Sequence, residues 1–340
     1  MRKEKQHLNP VIRAVVADPE TPGIFVIDEV EAPVAADSEA VVKVKTFSLN
    51  GGEVRNAFLS GKKLRPGWDF AGVVEKAAAD GSGPPPGARV VGLVPSGAWS
   101  ERVAAPTAFL TELPDSVSFA EAACLPVAGL TALYGIEKGG ALQGKSVLVT
   151  GASGGVGRFA CQLAVRAGAS VTARIRKPDT IESLRSEGVK NVVVGDDPEP
   201  ASSYGPFDLI LESVGGSSLS SSLSLLATGG TCVLCGNASN QPTVFEAREF
   251  YTKGNTHLYG LFLYDELRHH PVSSDLRRLA ELVAEGSLRP PIHLEAAWSN
   301  ISDIARRLME RSIWGKAVMH LEYESPQQER DDDGSPEESG

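Results

Sequence analysis

In VTGASGGVG, Val149 to Gly157, three glycines at Gly151, Gly154 and Gly157 follow an apolar run and open a stretch of helical periodicity. Gly151 permits a sharp exit from a strand, Gly154 lets the backbone approach a phosphate, and Gly157 lets a helix pack close to a sheet. The chemistry is capture of a dinucleotide pyrophosphate on free helix N–H groups at the positive end of the dipole. A bare glycine pattern also suits a plain tight turn, so its surroundings decide. Beyond the loop, TARIRKPD places Arg174, Arg176 and Lys177 where an Asp or Glu would receive the 2′-hydroxyl of NAD, about twenty residues further on. Positive charge and forked donors suit a 2′-phosphate instead, so NADP(H) is the expected cofactor, with ordinary surface charge as the alternative. Arg174 and Arg176 share a face if the strand alternates, Lys177 lies past it, and Asp179 reads as a helix N-cap.

These residues need a scaffold, and the chain has 340 residues with 42% hydrophobic content, enough for two packed domains. From Val11 to about Leu125 short Val-rich runs (EAVVKVKTFSL, AGVVEKA, ARVVGLV) are separated by Gly and Pro, a β-rich region. After KSVLVTG the pattern alternates. An apolar-periodic helix (VGRFACQLAVRAG), SVTARI, a helix (DTIESLRSEG), NVVVG, FDLILESV, a helix (SLSSSLSLLATG) and TCVLCG predict a parallel, doubly wound sheet. The last quarter adds a strand, HLYGLFLY, a helix, SSDLRRLAELVAEG, and a further helix before GKAVMHLEY, with no internal repeat. The expected fold class is α/β.

A formal charge of −10 with scattered basic residues argues against nucleic acid as partner. No run of about eighteen apolar residues predicts a membrane span. The start, MRKEKQHLNPVIR, is no secretory signal, and four cysteines in so long a chain suit a reducing compartment, so a cytoplasmic location is expected. ESPQQERDDDGSPEESG, Glu324 to Gly340, is acidic and nearly free of apolar residues and reads as disordered, as do residues 1–10.

TGASGGVG also fits the TGxxxGxG loop of short-chain dehydrogenases, but the chain's one YxxxK, Tyr134 to Lys138, precedes the loop and is coincidental in that reading. What the chain resembles, over nearly its whole ordered length, is the medium-chain dehydrogenase/reductase superfamily in its zinc-free quinone-oxidoreductase-like branch. SLNGGEVRNAFLSG, PGWDFAGVVE, GARVVGL, GAWSERVAAP, AACLPVAGLTALYG, the glycine loop, LCGNASNQP and GKAVM match that branch in order. The resemblance implies a β-rich GroES-like catalytic domain built from residues 11–128 and 265–323. A Rossmann domain, residues 129–264, is inserted between them.

A catalytic zinc needs three protein ligands, and a structural one usually four. Where zinc alcohol dehydrogenases have GHE this chain has Gly67-Trp68-Asp69, and their four-cysteine lobe is absent. Cys232 and Cys235 form a CxxC read as lying within a strand, where positions three apart face opposite ways, and Cys161 falls on the first Rossmann helix; all read as packing residues. No metal site is expected. Without a metal, conjugate reduction is favoured over alcohol oxidation, with hydride going to the β-carbon of an enone, enal, enoyl thioester or quinone.

The resemblance places Asn50 by the nicotinamide ribose and substrate, a turn-forming Asn being the alternative. It also implies cofactor contacts from Thr131, Ser153, Gly154, Gly155, Val156, Gly236, Asn237, Leu261, Phe262 and Lys316. The branch's NPxD becomes Asn50-Gly51-Gly52-Glu53 here, and Arg55 stands where several relatives carry a Tyr that could donate a proton. Arg55 is read either as a binder of a carboxylate, phosphate or enolate oxygen or as an exposed helix residue. The proton then comes from Tyr134, Tyr259, Tyr264 or water. Trp68 and Trp99 line the cleft or serve as core. The family implies a homodimer through the edge strand, here THLYGLFLY. A binding protein with little turnover and a zinc-free alcohol dehydrogenase are the alternatives to a reductase.

Overall fold

The computed structural model describes residues 10–195 and 199–322. The expected disordered ends, residues 1–10 and 324–340, lie outside the described residues apart from Pro10. The fold is α/β, with a GroES-like sheet region and a Rossmann-like parallel sheet.

The amino-terminal region carries β1 (Val11–Ala17), β2 (Phe25–Glu31), β3 (Glu39–Ser48), α1 (Gly51–Ser60), β4 (Asp69–Lys76), β5 (Arg89–Leu93), β6 (Arg102–Pro106), β7 (Leu110–Glu112) and α2 (Phe119–Ala123). A π-type turn, Leu125–Gly129, leads into α3 (Leu130–Glu137). The parallel unit follows as β8 (Ser146–Val149), α4 (Gly155–Arg166), β9 (Ser170–Ile175), α5 (Ile181–Ser186), β10 (Asn191–Val194), β11 (Phe207–Glu212), α6 (Gly216–Ser224), β12 (Leu226–Leu234), α7 (Ala247–Thr252) and β13 (His257–Gly260). The chain closes with α8 (Leu263–Glu266), α9 (Val272–Ala284), β14 (Ile292–Ala297), α10 (Ile301–Met309) and β15 (Lys316–His320).

Two sheets position the site. The parallel one runs β10-β9-β8-β11-β12-β13, so strand order reverses between β8 and β11. Ligands of such sheets bind in the crevice at the strand ends beside that switch point. The other runs β14-β15-β3-β4-β5-β7, with β6 paired to β3. β15 returns from the chain's end to lie antiparallel to β3, pairing Val318 with Ser48. That return brings Lys316 beside Ser48 and Asn50, more than 260 residues earlier in sequence.

Alternation explains the burial. In β3 the pattern of Ala40, Val42 and Val44 buried against Lys43 exposed is that of a one-sided sheet. β11, between β8 and β12, is apolar on both faces and buried nearly throughout, as a central parallel strand must be. One core, with Phe47, Phe70, Trp99 and Met319, fills the antiparallel region. A second joins α3, α4 and one face of the parallel sheet to α9 through Leu276, Leu279 and Val283. Trp99 is fully buried and stacked on Phe47 at 5.5 Å, so it is core rather than cleft wall.

Several local expectations are corrected. HLYGLFLY is not one strand: β13 stops at Gly260 and the chain turns into α8 at Leu263. Asp179 does not cap a helix; it sits inside a short 3₁₀ turn, Pro178–Thr180, and Thr180 occupies the position before α5. Cys235 lies past the end of β12, where its thiol meets the Glu212 carbonyl at 3.4 Å, while Cys232 is buried in the strand. The four cysteines are all free.

Candidate active site

The glycine turn leaves β8 at Thr150. Gly151 has φ +58°, a left-handed conformation, and a Cβ there would meet Ser213 Oγ at 2.5 Å. A Cβ on Gly157 would meet the Gly151 carbonyl at 2.4 Å, so the first turn of α4 rests directly on the loop. Gly154 is the N-cap of α4 in an extended conformation and no side chain caps the helix, so its first N–H groups face outward without a partner of that kind. With Ser153, Gly155 and Val156 half-buried around it, this is a cradle that suits a pyrophosphate. The residues present therefore fit a dinucleotide.

At the end of β9 the basic residues divide. Arg176 and Lys177 are exposed, past the strand's last residue, and Arg176 Nη2 lies 3.4 Å from the Arg311 carbonyl. Arg174 does not share their face in the open. It is buried, and its Nη1 donates to Ser218 Oγ at 2.6 Å. Ser218 in turn donates to Glu212 Oε1 at 2.6 Å. Arg174 is thus tied into the floor, because the β9 end is covered by the first turn of α6.

Across the cleft lies a polar network in which Ser48, Glu53, Asp69 and Lys316 are buried and Asn50 is half-buried. Asp69 opens β4; its Oδ1 accepts from the Val127 backbone at 2.9 Å, and its Oδ2 from Ser48 Oγ at 2.8 Å, Asn50 Nδ2 at 2.7 Å and Lys316 Nζ at 3.3 Å. Lys316 Nζ also donates to the Leu49 carbonyl at 3.0 Å and Asn50 Oδ1 at 2.6 Å. Glu53, in the first turn of α1, accepts through Oε1 from the Asn50 backbone at 2.8 Å and Asn50 Nδ2 at 3.1 Å. Its Oε2 is buried without a partner. Burial, followed by the Asp69 charge, pushes the Glu53 carboxyl up from its ordinary 4.5 to about 8, against the pull of Lys316 and the Asn50 donors. The two halves of the site touch here, since a Cβ on Gly155 would meet Lys316 Cδ at 2.7 Å. Lys316 therefore lies under the glycine turn, and Asn50, expected beside the nicotinamide ribose and substrate, engages Asp69, Glu53 and Lys316 with its amide.

Trp68 and Tyr264 meet edge to face at 5.8 Å, Phe262 and Tyr264 are 5.9 Å apart, and Phe262 is 67% exposed; these rings form an aromatic wall. Tyr264 donates to the Val94 carbonyl at 3.2 Å, and burial, then Asp69 and Glu53, raises its hydroxyl well above the ordinary tyrosine range. Leu261 is buried and its N–H bonds the Leu234 carbonyl. Arg55 reaches over to the segment after β12 and donates to the Asn237 carbonyl at 3.1 Å, beside Gly236. Arg311 donates to the next carbonyl, that of Ala238.

Tyr134 is corrected as a candidate donor. Its ring is wholly buried, stacked on His270 at 4.0 Å, with its hydroxyl donating to Asp275 at 3.0 Å on the α9 side of α3. Tyr259 gives its hydroxyl to Glu266. Thr131, buried at the start of α3, is not among the residues that these hydrogen bonds draw together. Asp69, Ser48 and Glu53 in this role escaped the sequence reading; the one signal was two acids, at positions 53 and 69, flanking SLN and PGW, where the chain departs from its pattern.

Comparison with known proteins agrees with this architecture. The alcohol dehydrogenase GroES-like domain model matches residues 36–115 and the zinc-binding dehydrogenase model residues 155–285. Among the described residues no group of three or more His, Cys, Asp or Glu is arranged to hold a metal ion. The mouse mitochondrial NAD(P)H oxidoreductase RTN4IP1 is 32% identical over 210 residues, covering 56% of this chain and 53% of that protein. Acryloyl-coenzyme A reductase of Sulfurisphaera tokodaii is 27% identical over 185 residues, 53% of this chain and 52% of that one. The chain spans about half the length of the curated relatives it matches. The quinone oxidoreductase of Coxiella burnetii, 24% identical, has the same fold with a TM-score of 0.78 over 92% of this chain and 100% of that one. With the GroES-like and dehydrogenase models matched in order along both sheet systems, the chain belongs to the medium-chain dehydrogenase/reductase superfamily.

Proposed function

We propose that the protein is an NADPH-dependent, zinc-independent oxidoreductase that reduces a quinone or an α,β-unsaturated carbonyl compound. The observation that carries this reading is the contact of Lys316 with Gly155, which sets the largely buried Asn50–Asp69–Lys316–Glu53 network directly beneath a helix N-terminus that suits a pyrophosphate. When bound, the cofactor supplies hydride. The α4 N–H groups hold its pyrophosphate, and Arg176 and Lys177 hold the 2′-phosphate through charge-assisted hydrogen bonds. The aromatic wall of Trp68, Tyr264 and Phe262 gives a conjugated acceptor an apolar ring to pack against and excludes water from it. Zinc independence is supported by residue type: Asp69 already accepts four hydrogen bonds, leaving it no place for a metal. The names of the relatives, an NAD(P)H oxidoreductase and an acryloyl-coenzyme A reductase, support the same chemistry.

A second reading, a nucleotide-binding protein with little turnover, is favoured by Arg55, which spans the cleft to the Asn237 carbonyl instead of offering a proton. NADPH oxidation followed by absorbance, with NADH in parallel, against a quinone, a 2-alkenal, a cyclic enone and a simple ketone separates the two. Consumption with a conjugated acceptor but not the ketone supports the reductase; tight binding with no consumption puts the second reading first, and NADP reduction by simple alcohols alone points to alcohol oxidation.

The same proposal includes a homodimer and a reducing compartment. β13 ends the parallel sheet, and Leu258 and Tyr259 on it are 42% and 37% exposed, an edge that pairing with a second copy would cover. Four free cysteines support a reducing compartment such as the cytoplasm. No helix among the described residues is long and apolar enough to cross a membrane.

A further inference from the structure

The site holds two buried carboxyls, Glu53 and Asp69, against one buried ammonium, Lys316. Removing an unpaired charge from water is costly, so a surplus negative charge in this network is relieved by a proton. The hydrogen bonds say where it resides. Both Asp69 oxygens are filled by donors and one of those donors is Lys316, which makes Asp69 the acceptor of the ion pair. Glu53 Oε1 is filled by the two Asn50 donors, whereas Oε2 has less than 1 Å² exposed and no donor at all. Either form leaves that oxygen without a partner, but burying it as a neutral hydroxyl costs far less than burying it as part of an anion.

We propose that Glu53 is the proton-storing residue of this site, neutral and sealed from solvent in the resting protein, and delivering its proton from Oε2 to the substrate after reduction once substrate binding admits a water molecule to that oxygen. The assignment rests on the reductase reading for the delivery step and on the network alone for the stored proton. In a conjugated carbonyl that has accepted hydride at its β-carbon, negative charge sits on the enolate oxygen and α-carbon. The water gives a proton to the α-carbon as a C–H bond forms. The Glu53 O–H bond breaks to restore the water, its electron pair stays on the carboxylate, and a solvent proton recharges Glu53 before the next turnover.

The charged groups around Glu53 are consistent with this. Asp69 on β4 raises its proton affinity and Lys316 on β15 lowers it, with burial as the largest influence and a resting value of about 8. Tyr264 lies close enough to feel both acids. α10 packs along α1, and its Asp303 and Arg306 pair with each other in solvent. Arg55 of α1 is engaged by the Asn237 carbonyl.

Infrared spectroscopy of the cofactor-free protein tests the stored proton. Wild type is expected to show a protonated-carboxyl band near neutral pH that fades as pH rises through about 8 and is missing in Glu53→Gln; its absence from wild type near neutral pH overturns the assignment. For delivery, enone reduction is followed against pH in wild type, Glu53→Gln and Glu53→Asp. Glu53→Gln, which keeps the acceptor at Oε1, is expected to lose about a hundredfold in kcat and the alkaline fall of the wild-type profile. NADPH affinity should stay within about threefold, and Glu53→Asp should recover part of the rate and of the pH dependence. A Glu53→Gln profile that parallels wild type overturns delivery even if the rate drops. A wild type with the band but no turnover of any acceptor sinks the reductase reading and the delivery step, and leaves the stored proton standing.

Discussion

Two glutamates are buried at the two sides of this cleft, and they are treated oppositely. Glu212, at the end of β11, has no exposed surface, and both of its oxygens are saturated: Thr150 Oγ1 at 3.0 Å, Ser218 Oγ at 2.6 Å, and the Val214 and Gly215 N–H groups at 3.1 and 2.8 Å. It stitches the β8 exit, the α6 turn and, through Ser218, Arg174 into one rigid floor. Glu53 has one oxygen saturated and one left bare. Burial is the same; satisfaction is not. A saturated buried acid is an anchor whose value lies in geometry, and an unsatisfied one is a group held ready to change its protonation.

The contrast is sharpened most by removing the anchor. Glu212→Ala strands four donors in the floor, and urea unfolding should show a loss of about 3 kcal/mol or more, against a much smaller loss for Glu53→Gln near neutral pH. Equal losses would break the comparison. Next, Arg176→Ala should weaken NADPH binding by about tenfold or more while leaving NADH nearly unchanged, as read by fluorescence titration. Equal losses for both cofactors would remove the 2′-phosphate assignment.

A subtler difference lies in pH. Folded Glu53 keeps its proton up to about 8, whereas the unfolded residue releases it around 4.5. The group's contribution to stability is therefore complete at low pH and is lost as pH rises through that window. Glu53→Gln should gain on wild type by about 3 °C in Tm between about pH 6 and about pH 9. A gap that does not move with pH would contradict the buried neutral acid. The smallest effect is expected from Tyr134→Phe, which removes the bond to Asp275 at a cost of about 1 kcal/mol and leaves turnover intact. A large loss of kcat there would return Tyr134 to the site.

How far the site was legible depended on how local its cause was. The glycine turn could be read because Gly151 and Gly157 answer to backbone sterics within a few residues, a left-handed φ in one case and a 2.4 Å approach in the other. HLYGLFLY misled because alternation continues past Gly260 while the chain itself turns into α8. Arg174 misled for a different reason. Alternation gave its face correctly in principle, but what covers that face is α6, some forty residues on, and Ser218 there claims the guanidinium.

The amino-acid sequence by itself determined the α/β class, the order of the strands' types and the glycine turn, because each follows from periodicity and from what glycine alone permits. Only the tertiary structure decided which polar residues meet. Glu53, Asp69 and Lys316 come from α1, β4 and β15, and they converge because β15 closes the antiparallel sheet against β3. Protonation follows from that convergence: it is set by which charges share a buried volume and which oxygens find donors, and neither is a property of any local stretch of chain.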